Sequence, residues 1–255
     1  MSSNPLRQLI LVPLALLAFA LSACAPLDEI LDTPTITESD PVPTISQSED
    51  YVSSLGAAEV DYEAVTGEIS YCDLDDLDRT VCAYGKLTSS MRDAAQAREK
   101  LDINVDPSGW PEHNDEVEIP ALDEVGNSRD YHGWMMNRSH LIADSLGGSV
   151  DVENLVTGTR MQNVGSRQVD GQYAGGMAYT ELMARSYLDN NDGDTCPLYY
   201  AATPVYSGDE LVPRTVIVDI QSCDKSIDER VEVSNTANGW EINYFDGSYA
   251  PVSAD

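Results

Sequence analysis

Residues 137–148 read Asn-Arg-Ser-His-Leu-Ile-Ala-Asp-Ser-Leu-Gly-Gly, and residues 154–163 read Asn-Leu-Val-Thr-Gly-Thr-Arg-Met-Gln-Asn. His140 follows Arg138 by two positions, and Asn163 stands on a segment that the pattern predicts to be helical. An imidazole can accept a proton, a guanidinium can hold an anion, and a carboxamide oxygen can bind a hard cation. The two stretches therefore predict a site suited to metal-assisted cleavage of a phosphodiester.

The segment Asn137-Arg138-Ser139-His140 resembles the signature of the DNA/RNA non-specific endonucleases of the ββα-metal (His-Me finger) type. That signature reads Asp-Arg-Gly-His and is followed by a helix that carries a metal-binding Asn. The Arg and His are retained here, whereas the first acidic residue and the glycine are replaced. The resemblance extends over about residues 108–250 and implies an α+β fold with a ββα-metal core. In that fold an antiparallel sheet is flanked by helices.

The resemblance implies two central roles. His140 would act as the general base, because a neutral imidazole can take a proton from water near pH 7. Asn163 would be the one direct protein ligand of Mg²⁺ (or Mn²⁺), with water completing the coordination shell. The alternatives are a structural histidine at position 140 and an Asn at position 163 that only caps or bonds the backbone.

Four further residues are candidates for the same site. Arg138 is expected to hold phosphate oxygens, with Arg160 as the alternative substrate-binding cation. Glu181 corresponds to the family's acid that orients metal-bound water, although an ion pair with Arg185 is the competing interpretation. Asn154 matches a family Asn nine residues before the metal ligand. It could position the site or cap the helix expected to begin there.

The amino-terminal 23 residues are typical of an export signal, with Arg7 near the start and an apolar run over residues 9–21. Leu21-Ser22-Ala23 immediately before Cys24 forms a lipobox, so Cys24 is expected to become the lipidated first residue of the mature chain. An ordinary secretory peptide with an incidental Cys24 is the alternative. Residues 24–50 are rich in Thr, Pro, Ser and acids, which predicts a solvated tether. Residues 51–255 are then expected to form one catalytic domain.

Four cysteines remain after Cys24: Cys72, Cys82, Cys196 and Cys223. An even number in an exported chain favours disulfides over metal thiolates. Among the three possible connectivities we favour Cys72 with Cys82 and Cys196 with Cys223. The first pair brackets a short loop, and the second flanks an expected strand pair.

The chain carries 44 acidic and 14 basic residues, which gives a formal net charge of −30. A nucleic-acid enzyme usually presents a basic surface, so this charge argues against tight binding of a polyanion. The acids are unevenly spread, however, and between residues 129 and 186 five arginines stand against six acids. A bound dication would make that nearly neutral region locally positive.

The hydrophobic patterning predicts an α+β domain with an antiparallel sheet. Residues 131–143 are expected to be one strand with Arg138 and His140 on the same face. The predicted helices span residues 90–99, 153–166 and 176–188, the second of them carrying Arg160, Asn163 and Arg167 on one stripe. Strands are expected over residues 198–206 and 211–220, with a further hairpin over residues 230–244 that turns at Asn238-Gly239.

The sequence thus predicts an exported, lipid-anchored and monomeric nuclease that faces outward and takes nucleic acid as its substrate. The rival hypothesis is a surface binding lipoprotein that keeps the fold without the activity, since the signature is altered and the charge is acidic. No serine-hydrolase elbow or phosphate-binding P-loop pattern occurs in the sequence. A zinc site built from the three histidines is not favoured either, because no ligand spacing supports it.

Overall fold

The computed structural model describes residues 49–60, 65, 67–122, 126 and 128–253. The predicted signal peptide, Cys24 and nearly all of the predicted tether lie outside the described residues. Three α-helices are present there: α1 (Ser89–Ala97), α2 (Arg160–Val164) and α3 (Met177–Asn190). The strands are β1 (Val52–Gly56), β2 (Ser70–Tyr71), β3 (Ala83–Leu87), β4 (Glu116–Ile119), β5 (Tyr131–Trp134), β6 (Met136–His140), β7 (Leu155–Thr159), β8 (Gln168–Val169), β9 (Gln172–Tyr173), β10 (Leu198–Val205), β11 (Thr215–Ser222), β12 (Asp228–Ser234), β13 (Trp240–Ile242) and β14 (Tyr249–Pro251).

The main sheet has six strands in the order β1-β12-β11-β10-β3-β2, and every neighbouring pair in it is antiparallel. Its central strand β11 is rich in β-branched residues and is buried along nearly its whole length. Helix α3 packs on this sheet, with Met177, Ala184 and Leu188 in the same core as strands β10 and β11. The predicted α+β class with an antiparallel sheet is confirmed.

A second hydrophobic core supports the segment that carries the predicted site residues. It joins Met135 and Met136 to Met161 of α2 and to Tyr51 near the amino-terminal end of the described residues. This core lies under the two-stranded pair β6-β7 and the short helix that follows it. The two strands and helix α2 form the ββα unit.

The predicted single strand over residues 131–143 is wrong, because the chain changes partner at Met135. Strand β5 pairs with β4, whereas β6 pairs with β7. Met135 is fully buried between them, and its N–H donates to Asp115 O while its carbonyl accepts from Arg160 N. Those bonds lie outside the strand ladders. Within β6, Arg138 and His140 still occupy alternate positions.

The predicted helix over residues 153–166 is also wrong in its first half. Residues 155–159 read Leu-Val-Thr-Gly-Thr and form β7, because β-branched residues favour a strand that can pair with β6. The helix begins only at Arg160 and ends at Gly165, whose φ is 64°. Arg167 therefore lies beyond the helix rather than on one stripe with Arg160 and Asn163.

The predicted hairpin over residues 230–244 is not formed. Strand β12 pairs with β1 and β11, while β13 pairs with β14. The turn at Asn238-Gly239 is closed only by an isolated β-bridge between Ala237 and Trp240. In contrast, the helices predicted at residues 90–99 and 176–188 and the strand at residues 198–206 match α1, α3 and β10 closely.

Both favoured cysteine pairings are present in the structure: Cys72 is bonded to Cys82, and Cys196 is bonded to Cys223. The second bond connects the residues beside the paired strands β10 and β11. In the described part of the chain, no helix has the length and apolar character needed to cross a bilayer.

Asp50, the last residue of the predicted tether, is bonded to the chain that follows helix α2. Its side chain is fully buried, and its carboxylate accepts hydrogen bonds from Ser166 N, Ser166 Oγ and Arg167 N at 2.6–2.8 Å. A Cβ atom at Gly175 would overlap this carboxylate, so a glycine is required there. Asp50 thus fixes the chain that leaves the carboxyl end of α2.

Candidate active site

Helix α2 is held tightly against the β6-β7 pair. Thr159 ends β7 and caps the helix, because its hydroxyl accepts a hydrogen bond of 2.9 Å from Gln162 N. Gly158 allows the close approach, since a Cβ at this position would lie 2.9 Å from Ser139 Cβ and would overlap the Gln162 carboxamide. This arrangement places one face of α2 directly over Asn137 and Ser139.

Asn163 projects from α2 onto that pair of strand residues. Its Oδ1 accepts a hydrogen bond of 3.1 Å from Ser139 Oγ, and its Nδ2 donates one of 3.0 Å to Asn137 Oδ1. The carboxamide is therefore fixed in one orientation by two side chains that alternate along β6. Asn137 and Ser139 are the two positions at which this sequence departs from the family signature, and both support the predicted metal ligand.

Asn163 lines an open cleft of about 480 Å³ together with Asn137 and Arg138. Trp110 and Trp134 contribute aromatic surface to the same cleft. Its floor is fixed by Asn114, whose carboxamide exchanges two hydrogen bonds of 2.9 Å with the backbone of Met136. The structure thus brings the predicted metal ligand and the predicted phosphate-binding arginine together.

His140 lies two residues beyond Arg138 at the end of β6 and is not among the described residues that line this cleft. Its Nε2 is buried, and no hydrogen-bond partner for it occurs among the described residues. Burial lowers the pKa of His140, an effect opposed by Asp144 and reinforced by Lys100 and Arg98. The ring is therefore neutral near pH 7 and keeps an unused lone pair or proton at Nε2.

Arg138 is held by two neighbours that the sequence analysis did not identify. Its Nε donates a hydrogen bond of 2.7 Å to Asp106 Oδ1, and Nη2 contacts the same oxygen. The guanidinium also stacks on the Trp110 ring, 4.4 Å from the ring centroid. The loop that supplies both neighbours is far from β6 in sequence, so no local pattern reveals these contacts.

Arg160 is placed differently from Arg138. Its guanidinium lies between the rings of Tyr131 and Tyr173, at 5.0 and 4.6 Å from their centroids. It opens helix α2 but does not line the described cleft. The structure therefore places Arg138, rather than Arg160, in the described cleft with Asn163.

Asn154 is a fully buried clamp on the loop that follows His140. Its side chain accepts a hydrogen bond from Ile142 N at 2.9 Å and donates to Ile142 O at 2.9 Å and Ser149 O at 2.8 Å. Because residue 155 starts a strand, Asn154 does not cap a helix as one interpretation expected. Its geometry fits the other expectation, a residue that positions the site.

Glu181 lies on α3 and forms the ion pair with Arg185, at 3.3 Å between Oε2 and Nη1. Burial raises the pKa of Glu181, while Arg185 opposes that shift. Glu181 does not line the described cleft, and the structure gives it no contact with Asn163 among the bonds it describes. The competing interpretation of this residue, a structural ion pair, is therefore realised.

The donors near Asn163 suit a hard, well-hydrated cation. In the described ranges no cluster of three or more His, Cys, Asp or Glu residues could enclose a metal. The available donors are instead the Asn163 and Asn137 carboxamide oxygens at the wall of an open cleft. Mg²⁺ prefers oxygen ligands and retains several waters, so one protein ligand in an open cleft fits it.

The sequence model of a family described as DNA/RNA non-specific endonuclease matches residues 110–224. A curated deoxyribonuclease from Streptococcus dysgalactiae subsp. equisimilis is 35% identical over 212 residues, which cover 73% of this chain and 62% of that protein. The chain thus spans less than two thirds of that relative's length.

Solved structures of nucleases also resemble the chain. The structure of Sda1 nuclease with bound zinc ion is 31% identical, with a TM-score of 0.69 over 84% of this chain and 100% of that one. NucA from Streptococcus agalactiae with magnesium ion bound is 22% identical, with a TM-score of 0.60 over 81% of this chain and 89% of that one, and shows likeness of fold. With the ββα unit and its Asn163 network, these findings identify the chain as a member of the DNA/RNA non-specific endonuclease family.

Proposed function

We propose that this protein is an exported endonuclease that hydrolyses phosphodiester bonds in DNA, and in RNA, with the help of one divalent cation. The observation that carries the proposal is the Asn163 carboxamide, fixed by Asn137 and Ser139 on the wall of a cleft that also contains Arg138. Such a cleft offers a cation ligand and a phosphate-binding group side by side. Membership in the nuclease family supports the same reaction.

In the proposed reaction His140 is the general base. Its neutral ring takes a proton from the attacking water while a bond forms between the water oxygen and phosphorus. The bond from phosphorus to the leaving oxygen breaks, and that oxygen later takes a proton from solvent. Positioned proton transfer of this kind contributes roughly 10²- to 10⁴-fold in rate. The lowered pKa of His140 supports the role because it keeps the ring unprotonated near neutral pH.

Asn163 is the proposed protein ligand for Mg²⁺ or Mn²⁺, and the fixed direction of its Oδ1 supports this assignment. When bound, the cation would polarise a phosphoryl oxygen and neutralise charge on the leaving oxygen. Arg138 is the proposed contact to a non-bridging phosphate oxygen, which requires it to share or release its bond to Asp106.

The remaining candidates receive supporting roles. Asn154 holds the loop after His140 and thereby sets the direction of the histidine. Glu181 would orient water near the cation only if its ion pair with Arg185 opens, and Arg160 would contact substrate beyond the cleft. We rank both below Arg138, because Arg138 lines the described cleft and neither of them does.

Export and anchoring are part of the proposal. Two disulfides support an oxidising compartment, because such bonds persist outside the reducing cytoplasm. The lipobox before Cys24 supports a lipid anchor at that residue, with the domain as a monomer facing outward. Mass spectrometry of the mature protein should find an acylated amino terminus at Cys24; an unmodified terminus elsewhere would contradict the anchor without affecting the nuclease proposal.

The test of the activity is plasmid digestion by the purified mature protein with Mg²⁺ or Mn²⁺, with and without a chelator. We expect the wild type to nick and linearise the plasmid, chelator to stop it, and His140→Ala to reduce the rate by at least 100-fold. Intact plasmid with the wild type, or equal rates for wild type and His140→Ala, would refute the proposal.

A second candidate is a surface binding protein that keeps the fold without catalysis. It is favoured by the net charge of −30 and by the engagement of Arg138 with Asp106. Metal titration followed by tryptophan fluorescence distinguishes the two, when combined with the digestion assay. Binding of metal that is lost in Asn163→Ala, in a protein that leaves plasmid intact, would support this second candidate.

A further inference from the structure

Trp134 is an exposed aromatic residue in the wall of the cleft that contains Asn163 and Arg138. It is the last residue of β5, and 54% of its surface is accessible. A large apolar side chain gains nothing for the fold by lying in solvent, since burial is what makes such a residue stabilising. Trp134 lines the same cleft as the predicted metal ligand, so its exposed ring is available to contact a bound substrate.

The strand pair β4-β5, which carries Trp134, is acidic on the face of that residue. Glu116 of β4 lies directly opposite Trp134 in the ladder, so the two side chains share one face of the pair. Glu118 lies opposite His132, two residues earlier on the same face, and its carboxylate is 3.9 Å from the His132 ring. The carboxylates of this strand pair repel phosphate groups, whereas Arg138 in the cleft attracts them.

We infer that Trp134 is a stacking platform for a nucleobase of the substrate, and that the cleft therefore prefers single-stranded or locally unpaired nucleic acid over duplex. The inference rests on the proposed nuclease function. The scissile phosphate lies toward Arg138 and Asn163, and a neighbouring base, free of its partner strand, lies on the indole of Trp134. In an intact duplex that base is stacked and paired, so its faces are not available.

Stacking also explains how so acidic a protein can hold a polyanion. Most arginines that the structure describes pair with carboxylates, including Arg79, Arg92, Arg98, Arg138, Arg185, Arg214 and Arg230. Few cations are thus available for phosphate contacts. Base–aromatic contact needs no positive charge and tolerates any base, which suits a nuclease without sequence preference.

The experiment compares steady-state cleavage of a single-stranded oligonucleotide and its duplex by wild type, Trp134→Ala and Trp134→Phe, all with Mg²⁺. Phe245→Ala is the matched control, because Phe245 is 59% exposed and does not line the described cleft. We expect Trp134→Ala to raise KM for the single strand by roughly 5- to 100-fold, the range for loss of one stacked base. The duplex KM should change much less, and Trp134→Phe should recover most of the loss.

The salt dependence separates stacking from phosphate contact. Removing a stacking residue should shift KM equally at every salt concentration, whereas removing a phosphate contact reduces the slope of log KM against log salt. Quenching of tryptophan fluorescence by the single strand should also fall in Trp134→Ala more than in Phe245→Ala. Equal effects of Trp134→Ala on both substrates, or no effect, would overturn the inference. Absence of cleavage by the wild type on either substrate would instead refute the proposed function.

Discussion

The hydroxyl of Ser139 donates to the carboxamide oxygen of Asn163, and Asn137 accepts from the other end of the same carboxamide. The metal ligand proposed for this protein is thus oriented by the two residues that differ from the Asp-Arg-Gly-His signature. An amide oxygen at position 137 can accept the Asn163 N–H just as a carboxylate would. The altered signature is therefore compatible with a functional site.

This network predicts how its members respond to substitution. Ser139→Gly should keep activity within about 3-fold, because Asn137 still orients the carboxamide. Asn137→Ala combined with Ser139→Gly should weaken metal affinity by roughly 10- to 100-fold, the usual effect of losing partners that orient a ligand. Titration of Mg²⁺ against initial rate measures both variants. An unchanged metal dependence in the double variant would contradict the prediction.

The lowered pKa of His140 predicts an acid-tolerant rate profile. Because burial disfavours the imidazolium, the ring loses its proton at a lower pH than an exposed histidine, whose pKa is about 6.5. The rate should therefore rise with pH and reach half of its maximum below about pH 6.5. The test is a profile of kcat/KM against pH, measured for the wild type and for Asp144→Asn. Since Asp144 raises the pKa of His140, the variant should move the midpoint still lower; a midpoint above 7 would contradict it.

The contact between Arg138 and Asp106 predicts that replacing Asp106 increases the affinity for nucleic acid. Asp106→Asn should free the guanidinium for phosphate, lower KM several-fold and steepen the slope of log KM against log salt by up to about 0.9 for duplex DNA. Asp102→Asn removes an exposed carboxylate from the same segment without touching this pair and serves as the control. Equal KM values for the two variants would show that Arg138 is not restrained by Asp106.

The buried hydrogen bonds of Asp50, the last residue of the predicted tether, predict a large loss of stability when that residue is replaced. Asp50→Ala leaves Ser166 N, Ser166 Oγ and Arg167 N without their acceptor in a buried site, which costs roughly 3 kcal/mol or more. Glu49→Ala, at an exposed neighbour, should change the free energy of unfolding by about 0.5 kcal/mol or less. Urea denaturation followed by circular dichroism compares the two variants. Similar midpoints would show that Asp50 is not an anchor.

The buried hydrogen bonds of Asn154 predict a comparable loss of stability near the proposed active site. Asn154→Ala removes three hydrogen bonds that hold Ile142 and Ser149, so stability should fall by about 2–4 kcal/mol. The rate should fall as well, because the same loop follows His140. Asn190→Ala breaks one exposed bond to Ser186 O and is the control. A stable, inactive Asn154→Ala would point to a direct role in the reaction instead.

The sequence predicted the features that depend on local pattern. Helices α1 and α3 follow apolar spacing and end signals, and the cysteine pairs follow from short loops and strand neighbours. Strand β7 was missed because Arg160 and Asn163 suggested helical spacing, whereas pairing with β6 decides the state of residues 155–159. Tertiary pairing overrode local propensity there.

Contacts between distant segments could not be predicted from periodicity. Asp106 reaches Arg138 from a loop, and Asn137 meets Asn163 across the ββα unit. His140 and Asn163 were correctly placed on a strand and a following helix, but the partners that orient them became visible only with the fold. Asn137 and Ser139 differ from the family signature, which in the sequence suggests a weakened site. In the structure both residues hydrogen-bond the Asn163 side chain.

The two disulfides set how long the domain lasts where it works. The two cysteines of each bond are 10 and 27 residues apart in the chain. Closing a loop of this size stabilises the folded state by roughly 3 kcal/mol per disulfide. A domain of this size has only about 5–15 kcal/mol of net stability, so the two covalent links account for a large share of it. In the proposed extracellular setting, the lifetime of the folded protein therefore depends on the thiol content of its surroundings, and a reducing medium would shorten it.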